Sequence, residues 1–474
     1  MTTNTPAGSP GQGPQAIPSA LLLLRGVEEH RQGRLDRAEQ LYRLALRANP
    51  RYVEAWRNLG SLMRERGVTD LALLFLRRAI ALEPEAPATW SNLGNALAAA
   101  GQMDAALEAH RKAVALAPGV ALSHYNLGLQ LGDMGLLEEC LHHLEAAEKL
   151  GYSQAGARWE RALNLLRHGR LEEGFRDYEW RWQTGKLKRP HTDIPLWNGQ
   201  PLKKGCLLVR SEQGFGDILQ FIRYLPMVRE RAPEVAFMAR PEIARLLAAS
   251  PCAAGVNICL PGDRMEGISR AVDLLSLPRL MQTRLDSIPA DIPYLAAPGT
   301  DVATLTPAER RDGKLRVGIF WQGKTHMRNS ARRSVTLELF RPLLDIPDTA
   351  FFSLQVDGQR QRIAELGLQD RLIDLGGRIR DFADTAALMR EMDLVVTVDS
   401  ATAHLAGGLG RPVWVALSMP FDWRWMMGKR EDSPWYPGMM LFRQTRPLDW
   451  ESVFARLETA LRRYAAARRD RRGD

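Results

Sequence analysis

The sequence has few cysteines and no long apolar run. Its 474 residues include four cysteines without a C-x-x-C pair, which argues against a zinc site or a disulfide framework. No apolar run approaches the ~20 residues that cross a bilayer. The opening stretch, MTTNTPAGSPGQGPQAIPSA, has neither the basic start nor the apolar core of a secretory signal. We therefore expect a cytoplasmic protein whose residues 1–19 form a disordered leader.

The net charge of +9 is concentrated in two arginine-rich segments. One is the C-terminal RRYAAARRDRRGD, where we place a basic tail over residues 466–474, and the other contains Arg328, Arg332 and Arg333. No nucleic-acid-binding motif accompanies either segment, so we predict no nucleic-acid partner. The charge fits a solvated tail, and it also fits peripheral attraction to an anionic membrane or to phosphorylated ligands.

Small residues recur every 34 positions in the first third of the chain. The ladders are Gly33, Gly67, Gly101, Gly135, Gly169; Gly26, Gly60, Gly94, Gly128; Ala45, Ala79, Ala113, Ala147; and Pro50, Pro84, Pro118. A fixed period of this length indicates a stack of similar helix pairs. Within one unit, Gly94 lets the two helices approach closely, Gly101 ends the first helix and Pro118 ends the second.

The units also share a W-x2-L-G pattern, at Trp56 and Trp90, and they resemble tetratricopeptide repeats. We count about five units over residues 20–187, the last degenerate because Ala162 stands where the others have glycine. Such a stack predicts an α-helical solenoid with a concave groove. The resemblance implies that this groove holds a protein or peptide partner. The alternative is that the stack only braces the domain that follows.

Beyond residue 187, short apolar runs alternate with amphipathic segments. Strands are predicted at CLLVR (206–210) and EVAFMA (234–239), and again at LRVGIFWQG (315–323), TAFFSLQV, RLIDLG, DLVVTVDS and PVWVAL. VNICL, AVDLLSL and IPYLAA are further strand-like or short apolar segments. Strands that alternate with helices predict parallel, doubly wound sheets. We therefore expect two α/β halves, over residues 188–300 and 315–465, joined by a linker at 301–314. A ligand would lie in the cleft between their strand ends.

Three of the predicted strands end in polar or glycine-rich turns. In the first, SEQGFGD, Gly214 and Gly216 let a ligand come close, and Asp217 begins a helix. Two interpretations are open for Asp217. It is a helix N-cap that forms a capping box with Gln220, or it is a reactive carboxylate.

The second turn is the basic loop WQGKTHMRNSARRSVTLE, which places Lys324 and Arg328 between a strand and a helix. Cations beside a helix N-terminus form a suitable site for an anion such as a diphosphate. A solvated basic loop is the alternative interpretation.

The third turn is TVDSATAHLAGGLG, in which a strand ends at Asp399 and a helix opens after it. The free backbone N–H groups of Ser400, Ala401 and Thr402 would favour a phosphate, and His404 lies in the first turn. Alternatively, Asp399 and Ser400 are ordinary caps and His404 is a packed core histidine.

Together these turns resemble the heptosyltransferase-like glycosyltransferases of family 9. The marks are the G-x-G-D turn before a helix and the stretch DSATAHLAGGLGRPV. The segments EDSPWYP (431–437) and DFADTAALM (381–389) are similar to segments of bacterial glycosyltransferases that carry tetratricopeptide repeats. Protein O-GlcNAc transferases resemble the chain more loosely. The resemblance implies a tetratricopeptide-repeat solenoid followed by a GT-B fold, which consists of two Rossmann-like, doubly wound α/β domains.

The resemblance also implies a role for each turn. Asp217 matches the general base, Lys324 the lysine that meets the phosphates, and residues 399–404 the donor-binding turn. The implied reaction is an inverting, metal-independent transfer from a nucleotide-diphospho-sugar to a protein or glycan acceptor, with no further cofactor. Ala401 departs from the glycine common in the family, which puts the donor and the activity in question.

Two other functions remain open from the sequence. The chain could be a repeat scaffold whose transferase half has lost catalysis, or a lipopolysaccharide-core heptosyltransferase. The aromatic stretch FDWRWMMGKREDSPWYP could stack on a nucleobase or sugar, but we expect Trp423, Trp425, Trp435 and Tyr436 to serve packing.

Overall fold

The computed structural model describes residues 17–189, 193–311, 313–323, 333–428 and 430–473. The chain divides into two compact units, one ending at Ala157 and the other beginning at Arg158. None of the helices within the described ranges is long and apolar enough to span a membrane.

The first unit is a helical solenoid of antiparallel helix pairs. Its helices are α1 (Ser19–Arg31), α2 (Leu35–Ala48), α3 (Val53–Glu65), α4 (Thr69–Leu82), α5 (Pro87–Ala99), α6 (Met103–Leu116), α7 (Ala121–Asp133) and α8 (Leu137–Lys149). The glycine ladders have the two roles that the sequence predicts. A Cβ at Gly94 would lie 2.6 Å from the His110 ring, so only glycine lets α5 and α6 pack this closely. Gly101 has a φ of +76° in the turn that follows α5.

The next helical pair belongs to the second unit apart from its first residues. It consists of α9 (Gln154–Arg167) and α10 (Leu171–Tyr178), and a 3-10 turn, Glu179–Gln183, follows it. This pair packs on the α/β region: the Phe175 ring meets those of Phe221 and Trp423 edge-on, with centroids 6.1 and 5.7 Å away. The degenerate repeat is therefore part of the core of the unit that contains the candidate site.

The first α/β half contains β1 (Cys206–Arg210), α11 (Phe215–Phe221), α12 (Leu225–Arg229), β2 (Glu234–Met238), α13 (Pro241–Ala248), β3 (Asn257–Cys259), β4 (Ile268–Asp273) and α14 (Leu277–Leu280). Its four strands are parallel and lie in the order β3-β2-β1-β4. The apolar run at 292–297, suggested as a strand, forms none. Its backbone is instead fixed to a neighbouring helix end, because the N–H groups of Tyr294 and Leu295 both donate to the carbonyl of Gly408 at 3.1 Å.

The second half contains β5 (Leu315–Phe320), α15 (Arg341–Leu344), β6 (Thr349–Ser353), α16 (Gln361–Glu365), β7 (Leu372–Asp374), α17 (Phe382–Arg390), β8 (Leu394–Val398), α18 (Ala401–Gly408), β9 (Val413–Leu417), β10 (Asp432–Ser433), β11 (Tyr436–Arg443) and α19 (Trp450–Gly473). Helix α19 includes residues 466–473, which the sequence analysis separates as a basic tail. Strand order is β10-β11-β9-β8-β5-β6-β7, and only the β10–β11 pair is antiparallel.

Both sheets have a point where the strand order reverses direction. In the first sheet this point lies between β1 and β4, and in the second between β5 and β8. In open parallel sheets, ligands bind in the crevice outside the strand ends at such a point. The fold therefore singles out the turns that follow β1, β5 and β8, which are the three turns singled out by the sequence.

Candidate functional site

The turn after β1 positions the predicted base, Asp217. Gly214 is the N-cap of α11, and its N–H donates to Oδ2 of Asp217, the third residue of the helix, at 2.8 Å. Asp217 is thus not itself the N-cap, because Phe215 and Gly216 already belong to the helix. Gln220 takes no part in a capping box: it is fully buried, and its amide atoms have no hydrogen-bond partner among the described residues.

Gly216 brings this turn against the turn after β8. A Cβ at Gly216 would lie 3.0 Å from Cδ2 of His404 and 3.6 Å from Cα of Ala401, so a larger residue would fit only if the His404 ring or the helix shifted slightly. The space beside Gly216 is thus taken by the turn after β8, whereas the sequence prediction was that a ligand comes close there. Gly214 is exposed, which leaves the start of the turn accessible from solvent.

The N-terminus of α18 has no side-chain cap. Ser400 is the N-cap residue, but its hydroxyl lies 3.1 Å from that of Thr397 and does not bond the first-turn N–H groups. Thr402 is buried, and Ala401 is partly buried. No side chain therefore competes for the positive end of the helix dipole, and anion binding at this helix end stays a prediction.

Asp399, in the turn after β8, forms an ion pair with the loop after β5 at the reversal point of the second sheet. Its carboxylate lies 3.4 Å from a guanidinium nitrogen of Arg333, a residue of the basic loop after β5. Burial and the neighbouring Asp422 carboxylate raise the pKa of Asp399, and Arg333 opposes this. Lys324 and Arg328, the two residues of that loop assigned to phosphate binding, lie outside the described residues.

His404 is a buried core histidine in this structure. Its Nδ1 lies 2.9 Å from the hydroxyl of Tyr436, and its ring stacks on that of Trp425 with centroids 5.1 Å apart. Burial, assisted by the Arg424 charge, lowers the pKa of His404 to about 3. The geometry matches the packing interpretation. Trp423, Trp425, Trp435 and Tyr436 are buried as well, which confirms the packing role expected of them.

Because His404 is buried in its neutral form, the free energy of unfolding should fall as the pH is lowered. Its pKa is about 3 in the folded protein and ~6.5 in an unfolded chain, so the unfolded state binds a proton first as the pH falls through this window. We expect the parent to lose about 2 kcal/mol more stability than His404→Gln between pH 7 and pH 5, in urea unfolding followed by tryptophan fluorescence. Exposed His142→Gln is the control and should behave as the parent. Equal losses in the parent and His404→Gln would contradict the assignment.

The structure adds to the site an arginine that the sequence analysis did not select. Arg424 ion-pairs with Asp217 through Nη2 and with Asp422 through Nη1, the latter at 2.8 Å. Burial alone would raise the pKa of Asp422, but Arg424 and a backbone N–H hold it below its usual value. The signal in the sequence was a single arginine between two tryptophans, a pattern typical of a cation packed on aromatic rings.

A second arginine, Arg181, binds a carboxylate at the start of the first turn. Arg181 is fully buried and binds Glu212 through two nitrogens, Nε at 3.0 Å and Nη2 at 2.8 Å. Glu212 also accepts from the N–H of Leu275 at 2.9 Å. Burial raises the pKa of Glu212 in spite of the pairing with Arg181. This network fixes the chain two residues before Gly214, and nothing in the sequence predicted it.

Chemically, the described groups provide a carboxylate in the first turn and an open helix N-terminus in the second, in contact through Gly216. This pairing can serve reactions in which a base activates one ligand while an anion of another is stabilised. Asp217, Gly214, Gly216, Ala401 and His404 are brought together. Asp399 joins this group through its neighbour Asp422, which Arg424 links to Asp217.

Two family models match segments of the chain. Residues 23–87 and 69–121 match the tetratricopeptide repeat, and residues 351–417 match glycosyltransferase family 9 (heptosyltransferase). The second match begins within β6 and ends with β9, so it includes the Asp399–His404 turn but not Asp217. The tetratricopeptide repeats predicted from the sequence are thus confirmed, and the family 9 resemblance is confirmed over residues 351–417.

Relatives of the chain are moderately similar. It is 29% identical over 332 residues to Protein FlbA of Caulobacter vibrioides, which covers 64% of this chain and 54% of that protein, so the chain spans about half its relative's length. A tetratricopeptide-repeat protein of Thermus thermophilus has 24% identity and a TM-score of 0.33, over 35% of this chain and 92% of that one. PilF of Pseudomonas aeruginosa has 19% identity and a TM-score of 0.35, over 45% of this chain and 85% of that one.

Proposed function

We propose that the chain is a glycosyltransferase that uses a nucleotide-diphospho-sugar donor and has a GT-B arrangement of two Rossmann-like halves. One observation carries the proposal: the carboxylate turn after β1 and the uncapped N-terminus of α18 touch at Gly216. Each turn lies at the reversal point of its sheet, where parallel sheets bind ligands. The family 9 match over residues 351–417 supports a glycosyltransferase.

The proposed reaction is an inverting transfer. Asp217 accepts the proton of the acceptor hydroxyl as that oxygen bonds to the anomeric carbon of the donor sugar. The bond from this carbon to the diphosphate oxygen breaks on the opposite side, and its electron pair leaves with the nucleoside diphosphate. The N–H groups of Ser400, Ala401 and Thr402 and the α18 dipole stabilise the charge that develops on the leaving group.

Cations complete the proposed donor site. Lys324 and Arg328 would meet the phosphates, as the family resemblance implies, and no metal or further cofactor enters this scheme. Ala401 adds a methyl group where the family commonly has glycine, so we expect it to affect which donor fits rather than to block the helix N-terminus.

The repeats would bring the acceptor to this site. Tetratricopeptide stacks present a concave surface, and a protein or glycan-precursor acceptor held there would be confined near the transferase unit. We propose a cytoplasmic location and, through the arginine-rich segments, peripheral contact with anionic membrane.

A nucleotide panel tests the proposal. Purified protein should show a rise in melting temperature with at least one of UDP, GDP, ADP and CDP, and should then release that nucleotide from a matching nucleotide-sugar when lysate acceptors are added. No shift with any nucleotide would favour the alternative, an inactive repeat scaffold. A shift with ADP together with transfer from ADP-heptose would favour a heptosyltransferase, and failure with that donor would count against one.

A further inference from the structure

Both oxygens of the proposed base are already engaged in this structure. Nη2 of Arg424 donates to Oδ1 of Asp217, and the N–H of Gly214 donates to Oδ2 at 2.8 Å. The pair is largely shielded from water, since the Arg424 and Asp217 side chains are 10% and 16% exposed. Each oxygen keeps a second lone pair, but the charge-assisted bond from Arg424 opposes transfer of a proton to this carboxylate. The base therefore accepts a proton more readily once Arg424 has left it.

Arg424 is held in place independently of Asp217. Oδ1 of Asp422 accepts from Nη1 of Arg424 at 2.8 Å and from its backbone N–H at 3.0 Å. The guanidinium also lies over the Trp423 ring, 4.2 Å from its centroid. These contacts fix the position of the guanidinium while Nη2 remains the group that faces Asp217. Arg424 can exchange that one partner without leaving its place.

Residues adjacent to both members of the Arg424–Asp217 pair contact the first turn of α18, whose N-terminus would receive a diphosphate. The next residue, Trp425, stacks on His404 in the first turn of α18, and the Arg424 charge contributes to the lowered pKa of that histidine. Gly216, next to Asp217, meets Ala401 at the start of the same helix. An anion at this N-terminus would compete with the Asp217 carboxylate for Arg424. A diphosphate carries more charge than a carboxylate and offers several acceptor oxygens to an arginine.

We propose that Arg424 couples donor binding to activation of the base: it pairs with Asp217 before the donor binds and transfers to the donor diphosphate when the donor binds. This inference rests on the proposed function of the site. Oδ1 of Asp217, without its arginine partner, then takes up the acceptor's proton more readily while a diphosphate is present. The coupling favours binding of the donor before proton transfer. It assigns Arg424 to the donor site, a role that the sequence analysis did not predict.

A double-mutant cycle on nucleotide binding tests the exchange without measuring transfer. The probe is the nucleoside diphosphate that binds the parent protein, with its nucleoside as the phosphate-free comparison, both by calorimetry. Arg424→Gln should weaken diphosphate binding about 10-fold or more and leave nucleoside binding unchanged. Asp217→Asn should tighten diphosphate binding about 5-fold or more, because Arg424 no longer has to leave a carboxylate. In the double variant this tightening should disappear.

Arg430→Gln, which alters a more exposed arginine of the same segment, is the matched control and should bind as the parent does.

The outcomes separate this inference from the function on which it rests. A parent protein that binds no nucleoside diphosphate would overturn both. If the parent binds but Arg424→Gln binds equally well, Arg424 only holds the two halves together and the exchange is wrong. Should Arg424→Gln fail to fold, judged by circular dichroism, Asp217→Asn decides alone: unchanged or weaker diphosphate binding in that variant overturns the exchange.

Discussion

Asp217→Asn is expected to lower the rate of sugar transfer by about 10²–10⁴-fold, the range typical for loss of a general base. Asparagine has nearly the same shape, and its amide oxygen can still accept the N–H of Gly214 that now bonds Oδ2 at 2.8 Å. The cap of α11 is thereby kept, whereas an amide cannot take a proton from a hydroxyl. We expect the fold to be retained and nucleotide binding to be no weaker than in the parent.

The measurement is nucleotide release from the donor identified by the panel, with acceptor present, at saturating donor. Asp286→Asn is a suitable control, since it removes one carboxylate from the same α/β half at a side chain that is 75% exposed. Transfer at the parent rate by Asp217→Asn, with Asp286→Asn also unchanged, would show that another group is the base.

Much of this site could be predicted because its parts are local in the sequence. A strand ending in G-x-G-D and a strand ending in DSATAH each carry their own turn chemistry, and the structure places both at sheet reversal points. The start of α11 was displaced from the prediction because Gly214 adopts an extended N-cap conformation, φ −87° and ψ 168°, which lets Phe215 and Gly216 enter the helix. Such a shift depends on backbone geometry that residue types alone do not determine.

Contacts between distant segments could not be predicted. Arg424 and Asp217 are 207 positions apart, and no periodicity links them. The histidine illustrates the same limit, since a His in the first turn of a helix suits a phosphate site or a core equally well. Only the stacking on Trp425 and the Tyr436 hydroxyl show that His404 is enclosed. The role of Arg181 depends likewise on Glu212, Glu179 and Ser276 coming together around it.

Arg181→Ala is expected to destabilise the second unit by about 3–5 kcal/mol, because it leaves the buried Glu212 carboxylate without its counter-charge. Arg181 is fully buried, and the Glu212 side chain is 8% exposed. Removing both partners should cost less than removing one, so we expect Arg181→Leu/Glu212→Leu to be more stable than Arg181→Ala. The measurement is urea unfolding followed by the fluorescence of the buried tryptophans. Arg284→Ala, which breaks a pair whose side chains are 61% and 75% exposed, should leave the midpoint nearly unchanged.

The pH dependence of Arg181→Ala identifies the charge as the cause rather than lost packing. Burial already raises the pKa of Glu212, and removing the arginine raises it further above the ~4.3 of an unfolded chain. A group whose folded pKa is raised contributes its stability below the unfolded pKa and loses it as the pH rises. The penalty of Arg181→Ala should therefore be larger at pH 8 than at pH 5. A penalty that is equal at both values, and equal again in the double leucine variant, would mean that Arg181 acts by filling space and that Glu212 does not need it as a partner.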